Sequence, residues 1–268
     1  MDIDGLMVHY RDEGKGPPVL LVHGTFSSLH TFDAWTRILR DSYRVIRLDL
    51  PGFGLTGPTP NGKYEMTYYL DLFVQFLKNL HIEKCHIAGS SLGGWLAWEL
   101  CLAHPELINK LVLIGAAGYF LDQRLPLPFL MAQTPIINKF VKHVLPKGLV
   151  YRFLKEVYGD PNKVTDDLVT RYFDLVMAKG NREAFISLVN TKYEIHHDRV
   201  KNIQSPTLIL WGKEDSWVTL KNADAFHADI KNSKLIVYDG VGHIPMEEIP
   251  VQSASDTIAF FQNGSVKP

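Results

Sequence analysis

Short aliphatic and β-branched runs alternate along the chain with longer stretches whose apolar residues recur at helical spacing. Val19-Leu20-Leu21-Val22 is apolar without interruption, the pattern of a strand covered on both faces. Tyr43–Leu48, His86–Ala88, Leu111–Ile114, Thr207–Leu210 and Leu235–Tyr238 read the same way, and Leu6–Arg11 predicts an amphipathic edge strand. Between them, Met66–Leu80, Leu92–Ala103 and Val251–Phe261 carry the helical period. This rhythm is that of βαβ units around a parallel sheet, an α/β fold.

The rhythm breaks between residues 119 and 200. That segment has no β-like run, several prolines (Pro126, Pro128, Pro135, Pro146, Pro161) and helical patterns such as Leu168–Ala178. It predicts a helical insertion over the sheet, with residues 1–118 and 201–268 forming one core domain. Leu125–Met131, crowded with prolines, predicts an extended lead-in.

Composition narrows the class. At 268 residues with 46% hydrophobic and 21% charged, the chain can bury a large core. Its net charge of −1 advertises no basic surface, so nucleic acid and anionic membranes are poor expectations for partners. No run is long enough to span a bilayer, and no signal peptide is visible. The expected compartment is the cytoplasm by default; a leader or anchor removed upstream would leave no trace. Cys85 and Cys101 sit in apolar or helical context, outside any metal or CxxC spacing, and predict buried thiols rather than a metal site. Nothing in the sequence reports the oligomeric state.

The chemistry begins where His86–Ala88 runs into Gly89-Ser90-Ser91-Leu92-Gly93-Gly94 and a helix follows. This is G-x-S-x-G between strand and helix, the context that gives the pattern meaning. Lifting a hydroxyl clear of a sheet needs a tight turn with strained backbone at Ser91, and side chains two positions away would collide. Ser90 lacks the glycine frame.

A serine hydroxyl needs a base, itself oriented by a carboxylate. Thr207–Leu210 leads into Trp211-Gly212-Lys213-Glu214-Asp215, and Leu235–Tyr238 leads into Asp239-Gly240-Val241-Gly242-His243. Both acid and histidine follow the C-terminal ends of strands, where parallel-sheet sites form. Asp215 lies further into its turn than Glu214, and Asp239 has the simpler role of ending a strand. Among 11 histidines, His243 alone combines the order with a glycine-framed loop. Val19–Val22 ends in His23-Gly24-Thr25-Phe26, a turn able to offer the N–H of Thr25, or alternately Phe26, across from that of Leu92 as an oxyanion site. His23 itself reads as a structural turn residue.

These stretches, with Asp49-Leu50-Pro51-Gly52-Phe53-Gly54 and Gly242–Glu248, resemble the α/β-hydrolase superfamily in its order and across nearly the whole chain. They are most similar to its capped serine hydrolases. The resemblance implies an eight-stranded, mostly parallel sheet flanked by helices, a helical cap after strand six, no cofactor, and a triad of Ser91, Asp215 and His243. Haloalkane dehalogenases and epoxide hydrolases of this fold place aspartate where Ser91 stands, which leaves a carboxylesterase acting on a small-molecule ester as the first expectation. Carbon–carbon hydrolases of ring-cleavage products use the same three residues. They carry a cap-helix arginine where Arg171 falls, but also tryptophan and asparagine where Ile244 and Ser90 stand. A surface position for Arg171 is expected. A slow-turnover ligand sensor is the reading from another class. The substrate pocket is expected among Phe26, Trp95, Phe120, Phe129, Trp217 and Ile244, favouring uncharged short-to-medium substrates.

Overall fold

In a computed structural model, residues 1–119, 121 and 125–262 are described. The predicted alternation is present. Strands β3 (Tyr10–Glu13), β4 (Pro18–Val22), β5 (Arg44–Leu48), β6 (Cys85–Ser90), β7 (Ile108–Ile114), β8 (Thr207–Gly212) and β9 (Ser233–Tyr238) form one sheet in the order β3-β5-β4-β6-β7-β8-β9. β3 pairs antiparallel with β5, and every other pairing in that sheet is parallel.

Among the described residues this sheet has seven strands, not eight. The predicted strand Leu6–Arg11 is split. Asp4 and Gly5 turn the chain at φ 50° and 82°, so β1 (Asp2–Ile3) and β2 (Leu6–Met7) close a separate hairpin before β3 starts. The insertion consequently follows the fifth strand of the main sheet rather than the sixth.

The continuous apolar runs divide between two cores, as alternating side chains of a doubly covered sheet must. Val19, Leu21, Leu208 and Leu210 face one side, where α1 (Asp33–Leu39) and α11 (Pro250–Gln262) pack. Leu20, Val22, Ile209 and Trp211 face the other, under α2 (Met66–Asn79), α3 (Leu92–Ala103) and α9 (Leu220–Asp229). Each such fully buried side chain contributes about 1.5–3 kcal/mol of transfer free energy. Cys85 and Cys101 are free and buried, and burial pushes both thiols up, Cys85 to about 12.

Between β7 and β8 lie α4 (Leu127–Gln133), α5 (Pro135–Val141), α6 (Lys147–Val157), α7 (Asp166–Met177) and α8 (Asn181–Asn190), and after β9 come α10 (Pro245–Glu248) and α11. The extended lead-in expected at Leu125–Met131 is instead helical from Leu127. Pro126 is the N-cap and Pro128 stands in the first turn, where no intrahelical N–H is needed, so neither ring interrupts the helix. No helix among the described residues is long and apolar enough to cross a membrane.

One buried histidine makes the fold acid-sensitive. His86 stacks on Phe261 at 4.3 Å, and burial first, then nearby Lys110, push its imidazole down to about 4. The unfolded chain therefore binds a proton that the folded chain refuses. The stabilisation this group contributes is full above about 6.5 and is lost as the pH falls towards about 4, on the order of 2–3 kcal/mol. Urea titrations across that window should show the decline, and His86→Phe, which keeps the ring stack, should flatten it.

Candidate active site

The turn from β6 into α3 carries Ser91 at φ 53°, ψ −117°, one of four non-glycine residues with positive φ among those described. The backbone is pinned from three sides. Ser91 N–H donates to Ile114 O at 3.0 Å, and Ser91 O accepts from Trp95 and Ala117 N–H at 3.1 Å each. A β-carbon at Gly89 would stand 2.1 Å from Gly93 O, and one at Gly93 would stand 2.3 Å from Val22 O. Glycine is required at both. Leu92 is the first residue of α3, so its N–H has no partner within the helix and stands at the positive end of the dipole.

The turn after β4 faces this elbow; a β-carbon at Gly24 would lie 2.8 Å from that of Ser91. His23 holds the turn. Its Nε2 accepts from Leu50 N–H at 2.9 Å, which places the proton on Nδ1 for donation to Gly24 O at 2.7 Å. Burial pushes this imidazole down, so it is neutral and structural, as expected. Thr25 and Phe26 follow, Phe26 at φ 60°.

Asp215 and His243 meet across the loops after β8 and β9. His243 Nδ1 lies 2.7 Å from Asp215 Oδ2, with the two side chains 5% and 0% exposed. The other carboxylate oxygen accepts from Trp217 and Val218 N–H at 2.9 and 2.8 Å, which fixes the carboxylate and leaves Oδ2 for the imidazole. Asp239 instead pairs at the surface with Lys213 at 2.7 Å.

Ser91 and His243 line one cavity of about 100 Å³, walled by Phe26, Leu154, Tyr172, Phe185, Trp217 and Ile244 among others. Among the described residues no hydrogen bond joins Ser91 Oγ to His243, a contact that commonly tightens only in the substrate complex. A second cavity of about 330 Å³ also reaches Ser91, and Leu92, Trp95, Phe129, Tyr193 and Trp217 line it. Thr25, Ser91 and Trp217 belong to both. Of the expected pocket residues, Phe26 and Ile244 thus fall in the first, Trp95 and Phe129 in the second, and Trp217 between them; Phe120 lies outside the described residues. Trp98, by contrast, is core, its Nε1–H donating to Ala117 O. No cluster of His, Cys, Asp or Glu among the described residues could hold a metal ion.

The sequence reading missed a latch. Arg171 is half-buried rather than free on the helix surface: its side chain is 30% exposed and its guanidinium donates at 2.9 Å to Oε2 of Glu247, which is 8% exposed. Tyr172 and Tyr158 hydroxyls donate to the same carboxylate at 2.6 and 3.1 Å. The adjoining Glu248 accepts N–H groups of Gly159, Asp160 and Gly242 at 3.0, 2.8 and 2.8 Å. Two carboxylates of α10, shortly after His243, therefore hold α6, α7 and their connection. The only sequence signal was a pair of glutamates following an apolar turn, unremarkable until their partners, about 75 to 89 positions earlier, fold beside them.

A parallel sheet, a glycine-framed serine on a strand-to-helix turn, and an acid–histidine pair at neighbouring strand ends define an α/β hydrolase. The chain belongs to that family: the model of the alpha/beta hydrolase fold matches residues 17–250. Among curated relatives, an uncharacterized hydrolase, YugF, of Bacillus subtilis (strain 168) is 28% identical over 97% of this chain and 95% of its own length. A 2-hydroxy-6-oxo-6-(2'-aminophenyl)hexa-2,4-dienoic acid hydrolase of Metapseudomonas resinovorans is 29% identical over 96% of this chain and 88% of its own. Among solved structures, a meta-cleavage product hydrolase (CumD) superposes with a TM-score of 0.85 at 27% identity, covering 97% and 96% of the two chains.

Removing the latch carboxylate strands Arg171 half-buried without its counter-charge. Glu247→Ala should therefore lower unfolding free energy by about 2–4 kcal/mol in urea titrations. A change below about 0.5 kcal/mol would show that the contacts at Glu247 carry no net stability.

Proposed function

We propose that the chain is a serine esterase cleaving uncharged esters of short-to-medium acyl groups through an acyl-enzyme. The observation that carries this reading is Ser91, held at positive φ where two apolar cavities meet, with the Asp215–His243 pair on the wall. Residues 1–118 and 201–268 act as the core domain, and 119–200 as a cap over it.

In this reading Ser91 Oγ attacks the acyl carbon and His243 Nε2 takes its proton. Asp215 holds the other imidazole proton and stabilises the cation that forms. The N–H groups of Leu92 and Thr25 (alternately Phe26) receive the negative oxygen of the tetrahedral intermediate. His243 then gives its proton to the leaving alkoxide, the alcohol departs, and water repeats the sequence to release the acid and restore Ser91. Two cavities sharing Ser91 suit a substrate divided at the scissile bond, with one apolar half on each side.

Carbon–carbon hydrolysis is the second reading, favoured by the names of the curated relatives. Against it stand Ile244 and Ser90 in place of the tryptophan and asparagine of those enzymes. Arg171 adds to this, because its charge is committed to Glu247.

A plate of aryl esters from acetyl to long acyl, with a ring-cleavage dienone beside them, separates the readings. Ester turnover peaking at short-to-medium chains is expected, with Ser91→Ala lowering kcat about a millionfold and Asp215→Asn lowering it about ten-thousandfold. Faster dienone cleavage would hand the function to the second reading. A maximum at long acyl chains would overturn the substrate assignment. No turnover and no fluorophosphonate labelling would leave a ligand-sensing protein of hydrolase fold.

A further inference from the structure

α5 and the turn that follows it are apolar on two faces. Val141 and Leu145 line the cavity at Ser91. Ile136, Phe140 and Val144 stand on another face, 73%, 69% and 66% exposed. They follow one another at i, i+4 and i+8, and Val144 N–H donates to Phe140 O at 2.9 Å, which continues the helical turn past Val141. Leu130 and Ile137, on the same pair of short helices, are 48% and 41% exposed. A contiguous exposed apolar patch marks an interaction surface.

Charge identifies what it meets. From Leu125 to Lys155 the chain carries Lys139, Lys142, Lys147 and Lys155 and no Asp or Glu, with Arg152 paired to Glu156 just beyond, in a protein whose net charge is −1. A second copy docking patch to patch would bring these cations against each other. An apolar stripe flanked by lysines complements the headgroups and acyl chains of an anionic lipid surface. We propose that α4, α5 and the following turn dock this protein peripherally on anionic phospholipid bilayers, with Ile136, Phe140 and Val144 inserted and Lys139 against the headgroups. This departs from the expectation drawn from overall charge, because net charge conceals a segment of one sign. The same segment walls both cavities through Pro128 and Met131 on one and Pro126 and Phe129 on the other. Docking therefore brings the Ser91 cavities beside molecules dissolved in the bilayer, whichever bond is cleaved.

Flotation with phosphatidylcholine vesicles, with and without phosphatidylglycerol, tests the docking apart from any hydrolysis, using the full chain and Ser91→Ala in parallel. Both proteins should float with the anionic vesicles and release as salt is raised. Ile136→Ser/Phe140→Ser/Val144→Ser should lower partitioning about tenfold or more, and Lys139→Gln should lower it about fivefold. The triple variant alters exposed positions outside the cavities, so its thermal midpoint and its rate on a soluble aryl ester should match those of the parent. Absence of binding to anionic vesicles, or equal binding by parent and triple variant, would overturn the proposal. So would a dimer in light scattering that the triple variant converts to monomer, which would assign the patch to a second copy.

Discussion

Backbone packs directly on backbone at the turn between β6 and α3. The distance of 2.1 Å from a β-carbon at position 89 to Gly93 O leaves no rotamer that could relieve the clash, because both atoms belong to the frame itself. The same closeness recurs between Gly93 and Val22 O at 2.3 Å, which seats the first turn of α3 against the end of β4. Once these contacts are made, the remaining geometry follows. Ser91 must take a positive φ at a cost of about 1–3 kcal/mol. Its amide and carbonyl bonds to Ile114, Trp95 and Ala117 hold it there. The turn after β4 is brought opposite, where a β-carbon at Gly24 would lie 2.8 Å from that of Ser91.

Carboxylates near His243 divide the electrostatic work. Asp215 is withdrawn from water and saturated on one oxygen by two amides, so its other oxygen has a single orientation available for the imidazole. Glu248 ties Gly242, the residue before His243, to the backbone of Gly159 and Asp160. Glu247 gathers Arg171, Tyr158 and Tyr172. The histidine loop is thus braced by the inserted helices as well as by the sheet; His243 N–H itself donates to Val157 O at 2.7 Å. Movement of α6 relative to the core would disturb the imidazole directly.

What could be read from sequence was what depends on neighbouring positions. Strands covered on both faces show as unbroken apolar runs, and the elbow shows as a serine framed by glycines because the clash is between residues 89 and 93. The order of acid and histidine placed Asp215 and His243 together. The failures are those of long-range or conformational detail. The separate hairpin arose from a turn at Asp4-Gly5 just before what looked like one strand, and that strand is itself broken between Met7 and Tyr10. The prolines at 126 and 128 fell at a helix start, where they are harmless, rather than inside a helix. The pairing of Arg171 was not legible because its partner lies 76 positions away and no local pattern marks it.

Arg171 also shows how the inserted helices are tied to the histidine loop. Paired with Glu247, which also collects two tyrosine hydroxyls, the half-buried guanidinium has its charge balanced, and detaching it would leave that carboxylate short of a donor. A carboxylate just after His243 therefore ties α7 and the end of α6 to the loop on which the pair with Asp215 depends.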